Sequence, residues 1–568
     1  MNISRTFQYI IAFICYTLAL SPCTNAQVIG QQQPPKSETR AVWLTTIGGL
    51  DWPDIYAQTT EKAAIQRKQL TDILDRLKSA NINTVLMQTR VRGTTAYPSA
   101  YEPWDGSFSG NPGVSPGYDV LQFAIDECHK RGMEIHAWVV TIPLGKTKKI
   151  GAQRLMKKMK RNIITIGDEA FMNPETQETA DYLANICQEI TDNYDVDGIH
   201  LDYIRYPETW RKKTNPTLAR SYITKIVRKI HSKVKASKPW VKMSCSPVGK
   251  HDDLARYSSK GWNAYSRVYQ DAQAWMQQGL MDQIYPMMYF DGDNFYPFAL
   301  DWQENAYGAD VVPGLGIYFL SPKEKNWKLD AVERQMRVAR DKGMGHCFFR
   351  SRFFTDNTKG LYQLVAEDID AYPALVPPMR QATLLASPPP PLFLNLERYG
   401  DFDNLSWPNN GEVNGSYARY NIYRSNHWPV DITDPRNMIA TYSTQCLITI
   451  PHAKGARYHY AVTTIDRYGQ ESTAAMTEAP ESTVAYSNED FINHDGKLLP
   501  LPAKDKCLDA PYIIAQSQEG VSVASWKYTS GCVDISHLQP GIYTLRSINK
   551  KGVTHKVGVF AISPFKKP

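Results

Sequence analysis

The chain has 568 residues, 42% of them apolar, 21% charged and 11% aromatic. That balance excludes a disordered or fibrous protein, and the length exceeds what one hydrophobic core supports, which predicts about three or four domains. The formal charge of +7 is spread over 64 basic and 57 acidic residues, without the concentrated basic face of a nucleic-acid binder.

Arg5 precedes an apolar stretch over 9–20, and small and polar residues follow as far as Ala26. A charged start, a short apolar run and a small-residue end predict a signal peptide over 1–26, and with it a secreted, periplasmic or cell-surface protein. Cys23 raises a lipid anchor as the alternative, which Pro22 disfavours. No later stretch approaches the ~18 apolar residues of a membrane span. Two of the nine cysteines, Cys15 and Cys23, fall in the signal segment. The others are scattered without metal-ligand spacing, so no metal site and no cofactor are expected. Cys507 and Cys532 share the last segment and could pair in an oxidising compartment.

Residues 27–38 form a polar tether, and a domain over 37–385 then alternates short apolar runs with amphipathic periods. Strands are predicted at 41–45, 84–89, 134–140, 198–203, 241–246, 283–289, 314–319 and 345–349. Helices fall between them at 64–80, 119–131, 177–193, 218–235, 268–278 and 330–342. Eightfold alternation reads as a (β/α)₈ TIM barrel in the α/β class. A doubly wound sheet is disfavoured, because no glycine-rich phosphate loop follows the first strand. The basic runs at 146–149 and 157–161 read as solvated helix faces. Prolines 388–391 make 386–391 a stiff linker. Short alternating strands over 392–485 then predict a seven-strand sandwich, and 488–568 is β-rich again, giving two small all-β domains after the barrel.

Barrel strands alternate between lumen and helical shell, and active groups gather at their C-terminal ends. In 197–207, Ile199 and Leu201 suit the shell, whereas Gly198, His200 and Asp202 point inward. A carboxylate there is costly unless paired, and Arg205 is a ready partner. The same alternation aims Trp43 and Thr45, Gln88 and Arg90, with Arg92 just beyond, and His136 and Trp138 into the lumen. On the sixth strand Met287, Tyr289 and Asp291 share that phase. Such a site suits glycoside hydrolysis, which needs two carboxyl groups, with aromatic rings to stack on sugars and Arg or His to hold hydroxyls. Asp202 is the expected nucleophile or base. Asp291 is the first choice for general acid, followed by Asp293, Glu102 and Asp105. Trp43, Gln88, Arg90, Arg92, His136, Trp138, His200, Arg205 and Tyr289 are expected to bind a poly- or oligosaccharide. The competing expectation is a catalytically silent, carbohydrate-binding surface protein on the same barrel.

The segments 40–45, 88–93, 116–121, 129–138, 197–207 and 282–289, in this order, resemble the glycosyl-hydrolase-like family 10 barrels. The resemblance implies a secreted enzyme acting on glycosidic bonds of a complex polysaccharide. Two departures touch the rim of the site. After Trp138 the family usually proceeds to an Asn-Pro-Tyr-Arg run, where this chain has 139–143 Val-Val-Thr-Ile-Pro, and Met287 stands where relatives often carry Gln. Residues 458–469, with a Tyr-x-Tyr-x-Val strand and an Asp-x-x-Gly turn, resemble a fibronectin type III module. Residues 534–545 and 557–562 resemble the sorting domain of the type IX secretion system, which implies contact with export machinery or the cell surface.

Overall fold

A computed structural model describes residues 33–210, 214–477, 491–494, 498–501, 512–518, 520–528, 532–548 and 554–562. The predicted signal peptide, Cys23 and Cys507 lie outside the described residues.

Parallel strands β1 (Arg40–Leu44), β2 (Thr84–Val91), β3 (Glu134–Val140), β4 (Gly198–Asp202) and β5 (Lys242–Cys245) pair in sequence order. β6 (Gln283–Ile284) follows, and β7 comes in two pieces, Asp310–Val311 beside β6 and Gly314–Leu315 beside β8 (His346–Phe348). β8 pairs with β1, Ala41 opposite Cys347, so the order returns to its start. This parallel sheet and its helices fit a TIM-barrel-like domain. Val42, Leu44, Val85, Met87, Ile199 and Leu201 bury against the helical shell, while Ala41, Trp43, Leu86, Trp138 and Tyr285 form a separate core inside the sheet. The shell helices carry the matching stripe: Thr60–Ser79 buries Ala63, Gln66, Leu70, Leu74 and Leu77, and Thr59 caps its N-terminus.

Three expectations need correction. The sixth strand was predicted to run to 289, but ladder pairing stops at Ile284, because Pro286 has no N–H to give; Met287 adds only isolated bridges to Val248 and Gly314. The seventh begins at Asp310, and Ile317–Leu320 is a 3₁₀ turn. The helix predicted over 268–278 shortens to Ala272–Gln277, leaving a long loop after β5. A helix at Tyr296–Glu304 was not foreseen, nor was an excursion after β3 in which Pro143–Lys146, Glu169–Met172 and Ile163–Ile166 form a small antiparallel sheet around the helix Ile150–Lys158.

Beyond the proline linker, Asn395–Tyr399, Phe402–Ser406 and Leu447–Pro451 form one antiparallel sheet, and Met438–Ser443, Arg419–Ser425, His459–Ile465 and Glu471–Met476 a second. Leu405, Trp407, Tyr420, Ile422, Tyr460 and Val462 share one core. The last described strands make a five-stranded sheet over Ile513, Leu545 and Phe560. These small sheets are consistent with all-β domains. Among the described residues no helix is long and apolar enough to cross a membrane.

The two-sheet module is fastened to the barrel at the start of β4. Asp197, buried there, accepts from Arg467 at 3.1 Å and Arg419 at 3.3 Å, and meets His129 at 2.8 Å. Burial alone would raise this carboxyl, but His129, Arg467 and Arg419 hold it well below the usual range. The Val376 N–H also donates to Tyr442 Oη at 2.7 Å.

Candidate active site

β4 ends at Asp202, and the alternation that buries Ile199 and Leu201 in the shell turns its side chain to the mouth. Both carboxylate oxygens face donors. Oδ2 accepts from Trp138 Nε1 at 3.0 Å; Oδ1 accepts from Ser246 Oγ at 2.9 Å and from the Tyr203 N–H at 2.7 Å. Trp138 comes from β3, and Ser246 lies just past β5. Thr141 pins the Asp202 carbonyl through its N–H at 2.9 Å and its hydroxyl at 2.8 Å. Burial pushes the Asp202 carboxyl above its ordinary value, while Ser246, the Arg205 charge, Trp138 and the Tyr203 N–H pull the other way. Three donors and no acceptor describe the surroundings of an anion. Tyr203 itself has φ 52°, a left-handed conformation unusual for an aromatic residue and typical of strained functional sites.

An aromatic cluster stands at the same end of the barrel, past the ends of β6, β7 and β8. Tyr289 stacks on Phe349 with centroids 5.2 Å apart, and Tyr318 meets both rings edge-on. Burial and then the Asp202 charge push the Tyr289 phenol well above its ordinary value. Tyr203 is 38% exposed, with the Arg205 guanidinium 4.5 Å from its ring centre. Rings of this kind, half-buried or open, offer flat faces to a sugar.

Several residues expected to touch substrate lie elsewhere. Arg90 is fully buried: Nε and Nη2 grip Glu102 at 2.8 and 2.6 Å, and Nη1 donates to the Val140 and Thr141 carbonyls. It ties the loop after β2 to the end of β3 with four hydrogen bonds and is buried away from the mouth; Glu102, held in the same pair, is removed from the acid candidates. Asp105 caps the short helix Gly106–Ser109 and accepts from Thr94. His200 sits below Asp202, between Trp43 Nε1 at 3.2 Å and Ser244 Oγ at 3.0 Å, and burial with the neighbouring His136 pushes it well below its ordinary value, so it is neutral. His136 packs against Gly198, where an added Cβ would come within 2.6 Å of its ring. Trp43, His136 and His200 therefore fill the lumen, because a closed barrel has no free space beneath its mouth.

The remaining expected residues line the upper rim. Gln88 Oε1 accepts from the Thr46 and Ile47 N–H groups at 3.1 and 2.9 Å, which fixes the loop after β1. Arg92 is exposed and packs its side chain along Gly145 of the excursion. Arg205 does not pair directly with Asp202; it bridges to Glu208 at 2.5 Å. Asp291 is exposed and caps a 3₁₀ turn by accepting from the Gly292 N–H at 2.7 Å; it is not among the groups acting most strongly on Asp202. Met287 lies at the isolated bridge next to this turn. Ser246, Tyr318 and Phe349 escaped the sequence reading.

Glu38, His346 and Asp370 could by spacing hold a cation at the opposite end of the barrel. Arg40 and Arg340 already fill that role, with contacts of 2.7 Å to Glu38 and 2.6 Å to Asp370. The cluster is a buried ion-pair network.

A hydrogen-bonded carboxylate at the end of the fourth strand, with aromatic rings at the same mouth, fits a glycoside-hydrolase-like barrel. The profile of the family glycosyl hydrolase-like 10 matches residues 38–318. The chain is 31% identical over 307 residues to the glycosyl hydrolase DigH of Escherichia coli (strain K12), an alignment covering 48% of this chain and 70% of that protein. It is 26% identical over 483 residues to the glycosyl hydrolase YngK of Bacillus subtilis (strain 168), covering 77% and 92%. It belongs to the glycosyl hydrolase-like 10 family. Among solved structures, it is similar to the catalytic domain of a β-amylase from Paenibacillus polymyxa, with TM-score 0.42, 9% identity and coverage of 60% of this chain and 99% of that one. It is also similar to the PgaB (BpsB) glycoside hydrolase domain from Bordetella bronchiseptica, with TM-score 0.40, 12% identity and coverage of 58% and 99%. Family and relatives support a glycosidase at a general level.

Proposed function

We propose that the protein is a secreted glycosidase in which Asp202 acts as nucleophile or base on a poly- or oligosaccharide. The observation that carries this reading is the donor set around Asp202: Trp138, Ser246 and the Tyr203 N–H all favour the ionised form that attacks a sugar or activates water. Asp291 is the proposed general acid. Glu102 is held in an ion pair with Arg90 and Asp105 accepts from Thr94 and the Ser107 N–H, whereas Asp291 and Asp293 are both exposed on the turn after β6. Tyr289, Tyr318 and Tyr203 supply the sugar platform, and Gln88, Arg92, Trp138 and Arg205 shape the rim.

Export by a signal peptide over 1–26 is part of the same proposal. The three-strand and four-strand sheets of 395–476 support a fibronectin type III reading of that module. The Leu-x-Pro-Gly-x-Tyr turn supports a sorting role for the last one. A silent carbohydrate-binding barrel is the second reading, favoured by the engagement of Glu102 and Asp105 away from Asp202. Incubating the full chain with a panel of polysaccharides separates the two. Release of new reducing ends supports the enzyme; calorimetric binding without release supports the binder.

A further inference from the structure

We infer that the substrate is a polyanionic polysaccharide, guided to the mouth by the excursion inserted after β3; this rests on the glycosidase reading above. Residues 143–172 contain eight Lys and Arg against two acidic residues, a net +6 within a chain whose total is +7. All eight cations are exposed. Among the described residues only Lys146 makes an ion pair, with Asp168 at 2.7 Å.

Helix stability does not account for this pattern. Arg154 lies three and four residues before Lys157 and Lys158 in the helix Ile150–Lys158, which sets like charges side by side. Lys148 and Lys149 stand at its N-terminus, where the helix dipole already concentrates positive charge, and its first turn holds no acid. Lys160 and Arg161 continue the cluster into the next turn. Lys157 and Lys158 suit the negative end of the dipole in the last turn, but the like-charge neighbours and the lysines at the N-terminus disfavour the helix slightly, a cost that an external anion would offset.

The position of the excursion fixes what that anion belongs to. It leaves β3 beside Thr141, whose N–H and hydroxyl hold the Asp202 carbonyl, and returns where the Met172 N–H meets the Ile142 carbonyl. Gly145 and Gly151 pack on Arg92 and Gly93, so the cluster continues the basic rim begun by Arg92. Lys158 lies 5.6 Å from the Tyr101 ring, which anchors the excursion to the loop after β2. A chain bound across the mouth with carboxylates along its length would meet this surface, whereas a neutral glycan would gain nothing from it. At ordinary ionic strength such charges act over ~10 Å, which suits a patch flanking the site.

The probes are polygalacturonate and its fully methyl-esterified form, which share a backbone and differ in charge. Binding to the full chain is measured by affinity electrophoresis at low and high salt. The test variant is Lys149→Gln/Arg154→Gln/Lys157→Gln/Arg161→Gln, all surface positions. The expected result is salt-sensitive binding of polygalacturonate alone, weakened about tenfold in the variant. Asp202→Asn should bind as the wild type, so a catalytic failure leaves this result readable. Equal binding of both probes, or no loss in the variant, overturns the proposal. So does preferential binding to phosphatidylglycerol vesicles or to single-stranded DNA, which would make the patch a membrane or nucleic-acid surface.

Discussion

The indole N–H of Trp138 donates to Oδ2 of Asp202 at 3.0 Å, from β3 to the end of β4. Because an indole can only donate, it holds this oxygen as an acceptor and sets the carboxylate's orientation. Ser246 does the same for Oδ1 at 2.9 Å from β5. Three adjacent strands thus converge on one charge.

Removing either donor should raise the pKa of Asp202, because the charged form loses a partner while burial remains. If Asp202 acts as an anion, activity disappears as pH falls through that pKa. The acidic limb of the kcat/KM profile should therefore lie above the ordinary aspartate range, and should move up by roughly one unit in Trp138→Phe or Ser246→Ala. A limb that stays in place would detach these donors from the reaction.

Arg90 should behave as a structural residue. Arg90→Ala strands Glu102 as an unpaired buried charge, and loss of one partner of such a pair costs about 3–5 kcal/mol. Urea unfolding of the full chain should show that loss. A normal midpoint with a raised KM would instead mark Arg90 as a ligand contact.

The clamp at Asp197 joins two domains. Its folded carboxyl is depressed, so its contribution is complete above ~4, the ordinary aspartate range, and is lost as pH falls through the lower folded value. Arg467→Met should destabilise the chain by about 1–3 kcal/mol at neutral pH, since His129 and Arg419 still face Asp197, and Asp197→Asn in the same chain should recover part of it. Additive losses would show that the pair is not coupled.

The eight strands and the inward turn of Asp202 were legible because strand alternation is local. Ile199 and Leu201 name the shell face, and His200 and Asp202 follow on the other. Depth was not legible. His200 and Trp43 have the phase of active-site residues, yet their bond to each other, between residues 157 positions apart, puts them in the packed lumen. Arg90 looked like a sugar ligand because its partner Glu102 sits in a loop with no period. Pro286 cut the alternation that carried the argument from Met287 to Asp291. Ser246 and Phe349 are ordinary strand-end residues in sequence, and only barrel closure brings them to the mouth.

Asp291→Asn should slow hydrolysis of natural glycosides far more than that of aryl glycosides with acidic phenol leaving groups, since the latter depart without a proton. Equal slowing of both would take the acid role from Asp291.

The most direct test replaces the charge on Asp202 while keeping its shape. Asp202→Asn in the full chain should retain the wild-type urea midpoint and lose turnover by about 10²–10⁴-fold on any polysaccharide the wild type cleaves. Turnover at the wild-type rate would contradict the account.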